Sequence, residues 1–587
     1  MNAVDWLVIA AYLIGTLLVG IWFSRRGARS FAEFFVSGRA LPWWLAGTSM
    51  AATTFSVDTP LYVTGLVARR GIAGNWEWWA FAITHVLMIY LFARLWRRSE
   101  VVTDVELTEL RYGGKPAALL RGARAFIFAV PINCIGMGYA MLAMRKVIEA
   151  LGLWDALAID VPGEPRLWIV VALSIFVLVY AGLAGLWGVV TTDFIQFGLA
   201  LVGALIVVAF ALPDVGGIAG IKTTLTQQGL SDRLDFMPWS DVAQLSMTTF
   251  LAYIGIQWWA FRNTDGGGMF IQRFISSKTE EDAQKAAWLF NVLHYVVRTW
   301  PWIVVALVAL ILYPTLADPE IGYIQLMLDY LPAGLLGLVV ASFLAAFMST
   351  VSTLINWGAS YIVNDLYVRW AHPEARDSEK VLVGRLASVV IVTLAATAAF
   401  FAQDIGTVFR FMIAIGTGPG AVLILRWFWW RVNAWSELAA MLAGILIALL
   451  SYLPTFGEID FGVRLAVTAF GSLAVWLPTM LLTRPESEET LAEFYRRTRP
   501  GGPGWRRQQR ITGLTPLQDL GADVRSGVLG VVLLFALLFG VGWLVLGFLG
   551  RGAAMFGLAA VTFLLLAWSH RRDSLTGGKR GSYIAAP

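Results

Sequence analysis

The sequence predicts an all-α integral membrane protein, and three observations carry that fold class. Of 587 residues, 58% are hydrophobic and only 14% charged, well below the roughly 25% charge of soluble domains. Apolar stretches of about 20 residues, the length that crosses roughly 30 Å of hydrocarbon, recur about fifteen times. Basic residues gather in alternate connecting loops. Helices are the spanning element, because membrane strands would be about ten residues long with alternating polarity.

In order, the stretches lie near residues 4–23, 42–68, 76–96, 125–148, 167–186, 188–211, 240–262, 286–313, 333–365, 380–402, 406–429, 435–455, 461–482, 528–549 and 553–570. The first contains Asp5, lacks a basic segment before it and is followed by 24-SRRGARS-30. It reads as a retained helix, not a cleaved signal peptide. The single cysteine, Cys134, lies inside a span, so disulfides play no part. The net charge of +5 reflects loop bias rather than nucleic-acid binding.

Arg25, Arg26 and Arg29, the run from Arg94 to Arg124, the run from Arg484 to Arg510, and Arg571 to Arg580 all fall in alternate loops. Such loops stay in the cytoplasm. The N-terminus is then outside and the C-terminus inside, in a bacterial-type inner (plasma) membrane. Arg69 and Arg70 are the exception, placed outside. The expected organisation is a leading helix and loop (1–36), two five-helix units (37–235 and 236–432) and two added helices (433–482). A cytoplasmic linker (483–527), read as a solvated basic loop, precedes two last helices and a tail (528–587).

Two stretches are interrupted. Residues 51-AATTFSVDTP-60 are small or hydroxylic and include a carboxylate and Pro60, which removes a backbone donor and disfavours helix at Thr59. The second interruption follows 253-YIGIQWWAFRN-263 and runs into Thr264, Asp265 and Gly266 to Gly268. A proline kink and a glycine loop would explain each alone. Their matching positions, five helices apart, fit the inverted-repeat design in which solute and ions bind at broken helices.

The segment 341-ASFLAAFMSTVSTLINWGAS-360 carries hydroxyls at Ser342, Ser349, Thr350, Ser352 and Thr353. Hydrocarbon offers no water to satisfy them. Either they form a wall of oxygen ligands for a small hard cation, or they pack helices through small residues. Asp193 lies in another span. A carboxylate there costs roughly 2.5–3.5 kcal/mol, which points to a functional partner; the structural reading is a residue near the cytoplasmic end reaching water or Thr191.

Four stretches carry a resemblance: 37-SGRALPWWLAGTSMAATTFS-56, 180-YAGLAGLWGVVTTDFIQFG-198, 270-FIQRFISSKTEEDAQKA-286 and 345-AAFMSTVSTLINWGASYIVNDLY-367. From about residue 4 to residue 450 the chain resembles the sodium/solute symporter family. The resemblance implies a leucine-transporter-type fold: one leading helix, a 5+5 inverted repeat and extra C-terminal helices. It implies a main sodium site made by the carbonyls of Ala52, Phe55 and Ala346 and the hydroxyls of Ser349 and Thr350. A second sodium site would use Asp193, Ser349, Ser352 and Thr353. One or two sodium ions would then drive uptake. Each charge crossing 100 mV supplies about 2.3 kcal/mol, so two ions support roughly thousandfold accumulation of a neutral solute.

The resemblance also gives a solute pocket. Glu77, in 75-NWEWWAF-81, takes the place of a sugar-binding glutamate, and His294 falls where sugar carriers have a lysine. Trp258 and Trp259 fall near a gating aromatic. Thr54 and Asp58 at the first break and Arg410 complete the candidate solute-binding set. Ile413 stands where a glutamine contacts sugar, a departure from the pattern. The expected activity is sodium-coupled symport of a small polar solute, a sugar or polyol, by alternating access. The alternatives are an organic acid or amino acid, which Arg298 and Arg410 could hold by bidentate pairing, and a transporter-like membrane sensor. The four histidines, His85, His294, His372 and His570, are scattered, so no enzyme is expected. The expected partners are the solute, sodium and the lipid bilayer, with no nucleic acid and a functional monomer.

Overall fold

In a computed structural model, residues 1–27, 37–54, 56–101, 103–152, 162–181, 186–239 and 245–576 are described. Among them the chain is helical, with three isolated backbone bridges and no strand. Among the described residues, eight helices are long and apolar enough to cross a membrane, or nine if Ile72–Leu91 and Ala93–Ser99, bent by 53°, form one span. Four shorter apolar helices accompany them. The expected count of about fifteen exceeds this because several apolar stretches are split.

The helices used below are α1 (Ala3–Gly27), α2 (Trp43–Thr53), α3 (Asp58–Arg70), α4 (Phe81–Leu91), α5 (Leu186–Ala211), α6 (Gly267–Ser276), α7 (Thr299–Leu312), α8 (Leu335–Ser360), α9 (Ile405–Gly416), α10 (Gly420–Phe428), α11 (Phe461–Leu482), α12 (Glu488–Thr498), α13 (Arg506–Thr512) and α14 (Leu520–Val545). Helices α2, α5 and α8 pack on one another, and α1 lies against α5 and α8.

Both expected interruptions are present. The interrupted stretch near 42–68 divides into α2 and α3, and the one near 240–262 gives a short helix ending at Ala260, followed by α6. A third break separates α9 from α10 at Thr417–Gly418–Pro419, within a stretch expected to be one span. It pairs with the second. The Arg262 N–H donates to the Gly416 carbonyl at 2.8 Å, and the Gly418 N–H to the Ala260 carbonyl at 2.8 Å. Two unwound segments thus satisfy each other's backbone where hydrocarbon would not. The approach is so close that a Cβ at Gly420 would sit 2.4 Å from the Trp259 carbonyl oxygen.

The linker is folded rather than solvated, which corrects the sequence expectation. Helix α12 buries Leu491, Phe494 and Tyr495, and Trp505 is fully buried. The Trp505 indole N–H donates to the Trp427 carbonyl at 2.7 Å, and the Arg111 guanidinium lies 5.3 Å from the Phe494 ring centroid and 5.2 Å from that of Trp505. Helix α14 packs against α4.

Candidate functional site

Asp193 is fully buried where α5 meets α2 and α8. Ser349 of α8 donates its hydroxyl to Asp193 Oδ1, and Ser49 of α2 donates to Oδ2 at 2.6 Å. The Arg273 guanidinium of α6 stands 3.7 Å from Oδ2 and donates to Ser49 Oγ at 3.2 Å and Thr53 Oγ1 at 3.1 Å. One carboxylate therefore ties four helices together through hydroxyls, with one guanidinium beside it. An ionised carboxylate in so dry a place needs such partners.

The other α8 hydroxyls lie alongside. Ser352 donates to the Ser349 carbonyl at 3.2 Å. Thr353 Oγ1 is buried without a hydrogen-bond partner among the described residues. Ala346, Ser349, Thr350 and Ser352 are all buried. Asp193, Ser349, Ser352 and Thr353 thus share one region, and Ala346 and Thr350 lie on the same helix. Helix α2, packed on α8, ends at Thr53, where the Thr54 N–H donates to the Met50 carbonyl at 3.2 Å and Ala52 is buried. Phe55 lies outside the described residues.

The break between α2 and α3 has a fixed cation of its own. Arg298, ahead of α7, donates to the Ala51 carbonyl at 2.5 Å and the Thr54 carbonyl at 3.0 Å. It also reaches the Thr54 hydroxyl at 3.1 Å and His294 Nδ1. His294 in turn lies 3.3 Å from Thr54 Oγ1 and edge-on to the Trp78 ring. Thr54 and His294 therefore meet at the break, as does buried Asp58 at the start of α3.

The remaining solute candidates are placed elsewhere. Glu77 is fully buried and held by Arg70 at 2.9 Å and by Arg410 Nε at 3.0 Å. The Trp258 carbonyl accepts from Thr84 at 3.2 Å. The Trp259 ring packs on Phe470 of the peripheral helix α11. Glu320 is bound by Lys146, with Arg69 at 3.7 Å, and Arg69 pairs with Asp404 at 3.0 Å.

At the opposite end, Arg426 links Asp265 at 2.5 Å to Glu437 at 3.2 Å, Arg124 joins Glu437, and Asp104 lies 3.6 Å from Arg124. Asp104 belongs to the loop ahead of residue 107, where burial pushes its carboxyl up to about 6 against the pull of Arg124.

Sequence reasoning gave Ser49, Thr53 and Arg273 no role. All three lie inside stretches quoted for the resemblance. The available signal was Arg273 itself: a guanidinium in an apolar helix needs a buried anion, and Asp193 was the unpaired candidate.

Comparison with known proteins identifies the family and the fold. Residues 34–444 match the model of the sodium:solute symporter family. The sodium/glucose cotransporter of Vibrio parahaemolyticus is 27% identical over 494 residues, covering 77% of this chain and 86% of that protein. The human sodium/myo-inositol cotransporter 2 is 24% identical over 491 residues, covering 76% and 69%. The substrate-bound outward-open structure of a Na+-coupled sialic acid symporter superposes with a TM-score of 0.63 at 20% identity, covering 83% of this chain and 99% of that one. That likeness establishes the leucine-transporter-type helical fold. Built on that fold, with the matched region containing both broken helices, Asp193 and the α8 hydroxyls, the chain belongs to the sodium:solute symporter family.

Proposed function

We propose that the protein uses one or two sodium ions to import a small polar solute, a sugar or polyol, by alternating access. The observation that carries this reading is the convergence of α2, α5, α6 and α8 on Asp193. A cation entering there would exchange its water for the Asp193 carboxylate and the Ser349, Ser352 and Thr353 hydroxyls, and Thr353 Oγ1 has no competing protein partner among the described residues. The main site would add the Ala52, Phe55 and Ala346 carbonyls and the Thr350 hydroxyl. Ligands drawn from several helices favour the conformation that brings those helices together, which is what coupling requires.

The solute would sit at the first break, between Thr54, Asp58, His294 and Trp78. The relatives act on glucose and myo-inositol by name, which supports the polyhydroxy class. Arg298 at the same break is the observation that favours the second reading, an organic acid. The orientation with an outer N-terminus and the fifteen-span, inverted-repeat arrangement belong to the same proposal.

Proteoliposomes test the reading. Uptake of glucose, myo-inositol or gluconate should require an inward sodium gradient, and Ser349→Ala combined with Thr350→Ala should abolish it. Equal uptake in sodium-free buffer rejects the coupling. Uptake confined to gluconate replaces the sugar reading with the acid one.

A further inference from the structure

At the Glu77 end of the bundle, extracellular in the proposed orientation, lies a half-open cavity of about 300 Å³. Three arginines from three elements line it: Arg70, Arg410 and Arg464. Only two of them have a carboxylate to answer. Arg70 and Arg410 share Glu77. Arg464 donates to the Ser451 carbonyl at 3.3 Å, and its guanidinium carbon lies over Tyr452, 3.6 Å from the ring centroid. Among the described residues it makes no ion pair, and its Nε is buried without a partner.

The one acid in the wall, Asp460, is already committed. It caps α11, accepting from the Gly462 and Val463 N–H groups, and takes the Ser246 hydroxyl at 2.5 Å and the Thr249 hydroxyl at 3.1 Å. Counting Glu77 and Asp460 against the three arginines leaves one positive charge in excess. Thr407, Tyr253 and Tyr452 add hydroxyl-bearing side chains to the lining.

We propose that this cavity binds a small organic anion bearing hydroxyls, of the sugar-acid class, with its carboxylate on Arg464 and its hydroxyls on the rest of the wall. A guanidinium held against an aromatic ring and a backbone carbonyl keeps further N–H donors for planar recognition of a carboxylate. As a waiting site for the transported solute, the cavity rests on the transport reading above; as a binding site it does not, since no sodium candidate lines it.

The test is calorimetric titration of D-gluconate, with D-glucose as comparison, into the purified full-length protein in sodium-free choline buffer. Gluconate should bind and glucose should bind at least about tenfold more weakly, the discrimination a single charge-assisted pair supplies. Arg464→Gln should weaken gluconate by about tenfold. No gluconate binding to the wild type, equal binding of glucose, or unchanged affinity in Arg464→Gln overturns the proposal. Should Arg464→Gln fail to fold, Arg464→Lys keeps the charge without the planar fork. A loss of about threefold then supports the proposal, and undiminished affinity overturns it.

Discussion

Asp193 and Glu77 are both fully buried, yet their surroundings differ in kind. Glu77 is held by two guanidiniums, at 2.9 and 3.0 Å. Asp193 is held by two serine hydroxyls, with its guanidinium 3.7 Å away and shared with Ser49 and Thr53. A carboxylate already clamped by two arginines gains little from a further cation. One that leans on hydroxyls can turn toward an ion, because those hydroxyls hold lone pairs of their own. On the proposed reading, the comparison separates a charge cluster at one end of the bundle from the site where a sodium ion would bind.

The largest effect should come from Asp193→Asn. It leaves Arg273 without its counter-charge, a loss of roughly 3–5 kcal/mol when one partner of a buried pair is removed. Sodium-driven uptake should vanish and the melting temperature should drop, as read in proteoliposomes and by thermal denaturation. Retained sodium dependence would erase the distinction between the two carboxylates.

Trp505→Ala comes next. It empties a buried site between α12 and the end of α10, and large-to-small changes of this kind cost about 3–5 kcal/mol. Limited proteolysis should then cut within 483–519 while the membrane helices stay protected. An unchanged digestion pattern would return the linker to the solvated class.

Glu77→Gln sharpens the contrast. It should slow uptake by loosening the Arg70 and Arg410 cluster, yet the sodium concentration for half-maximal uptake should move by less than about twofold, or 0.4 kcal/mol. A large shift in sodium affinity would mean that the two sites are one.

The smallest effect concerns Asp104. Its folded carboxyl is raised from 3.8 to about 6, so it stabilises the protein below 3.8 and that contribution is lost as pH rises through about 6. Melting curves of the wild type relative to Asp104→Asn should show this decline across that window. Parallel curves would show that Asp104 is not held in its protonated form.

Much of the site was legible because membrane chemistry makes polar residues conspicuous. Asp193 and the Ser349 to Thr353 run stand out against hydrocarbon, and both interruptions announce themselves through Pro60 and the Gly266 to Gly268 run. Less legible was what each polar residue touches. Glu77 reads as a solute ligand or as a residue at the outer interface, and its ion pairs with Arg70 and Arg410 are contacts that local pattern does not carry. The third break was written in 416-GTGPG-420, but its necessity lies in pairing with residues 260–262, a long-range contact that local pattern does not carry. Helix α12 hides Leu491, Phe494 and Tyr495 among glutamates and arginines, so its charge concealed its apolar face.

The central claim is that a sodium ion binds among Asp193 and the α8 hydroxyls. Equilibrium binding of radioactive sodium to the purified protein tests it most directly, with Ser349→Ala plus Thr350→Ala and with Glu77→Gln as the paired variants. Saturable sodium binding, not displaced by potassium, should be lost in the first variant and kept in the second. Binding that survives in the first, or disappears only in the second, contradicts the account.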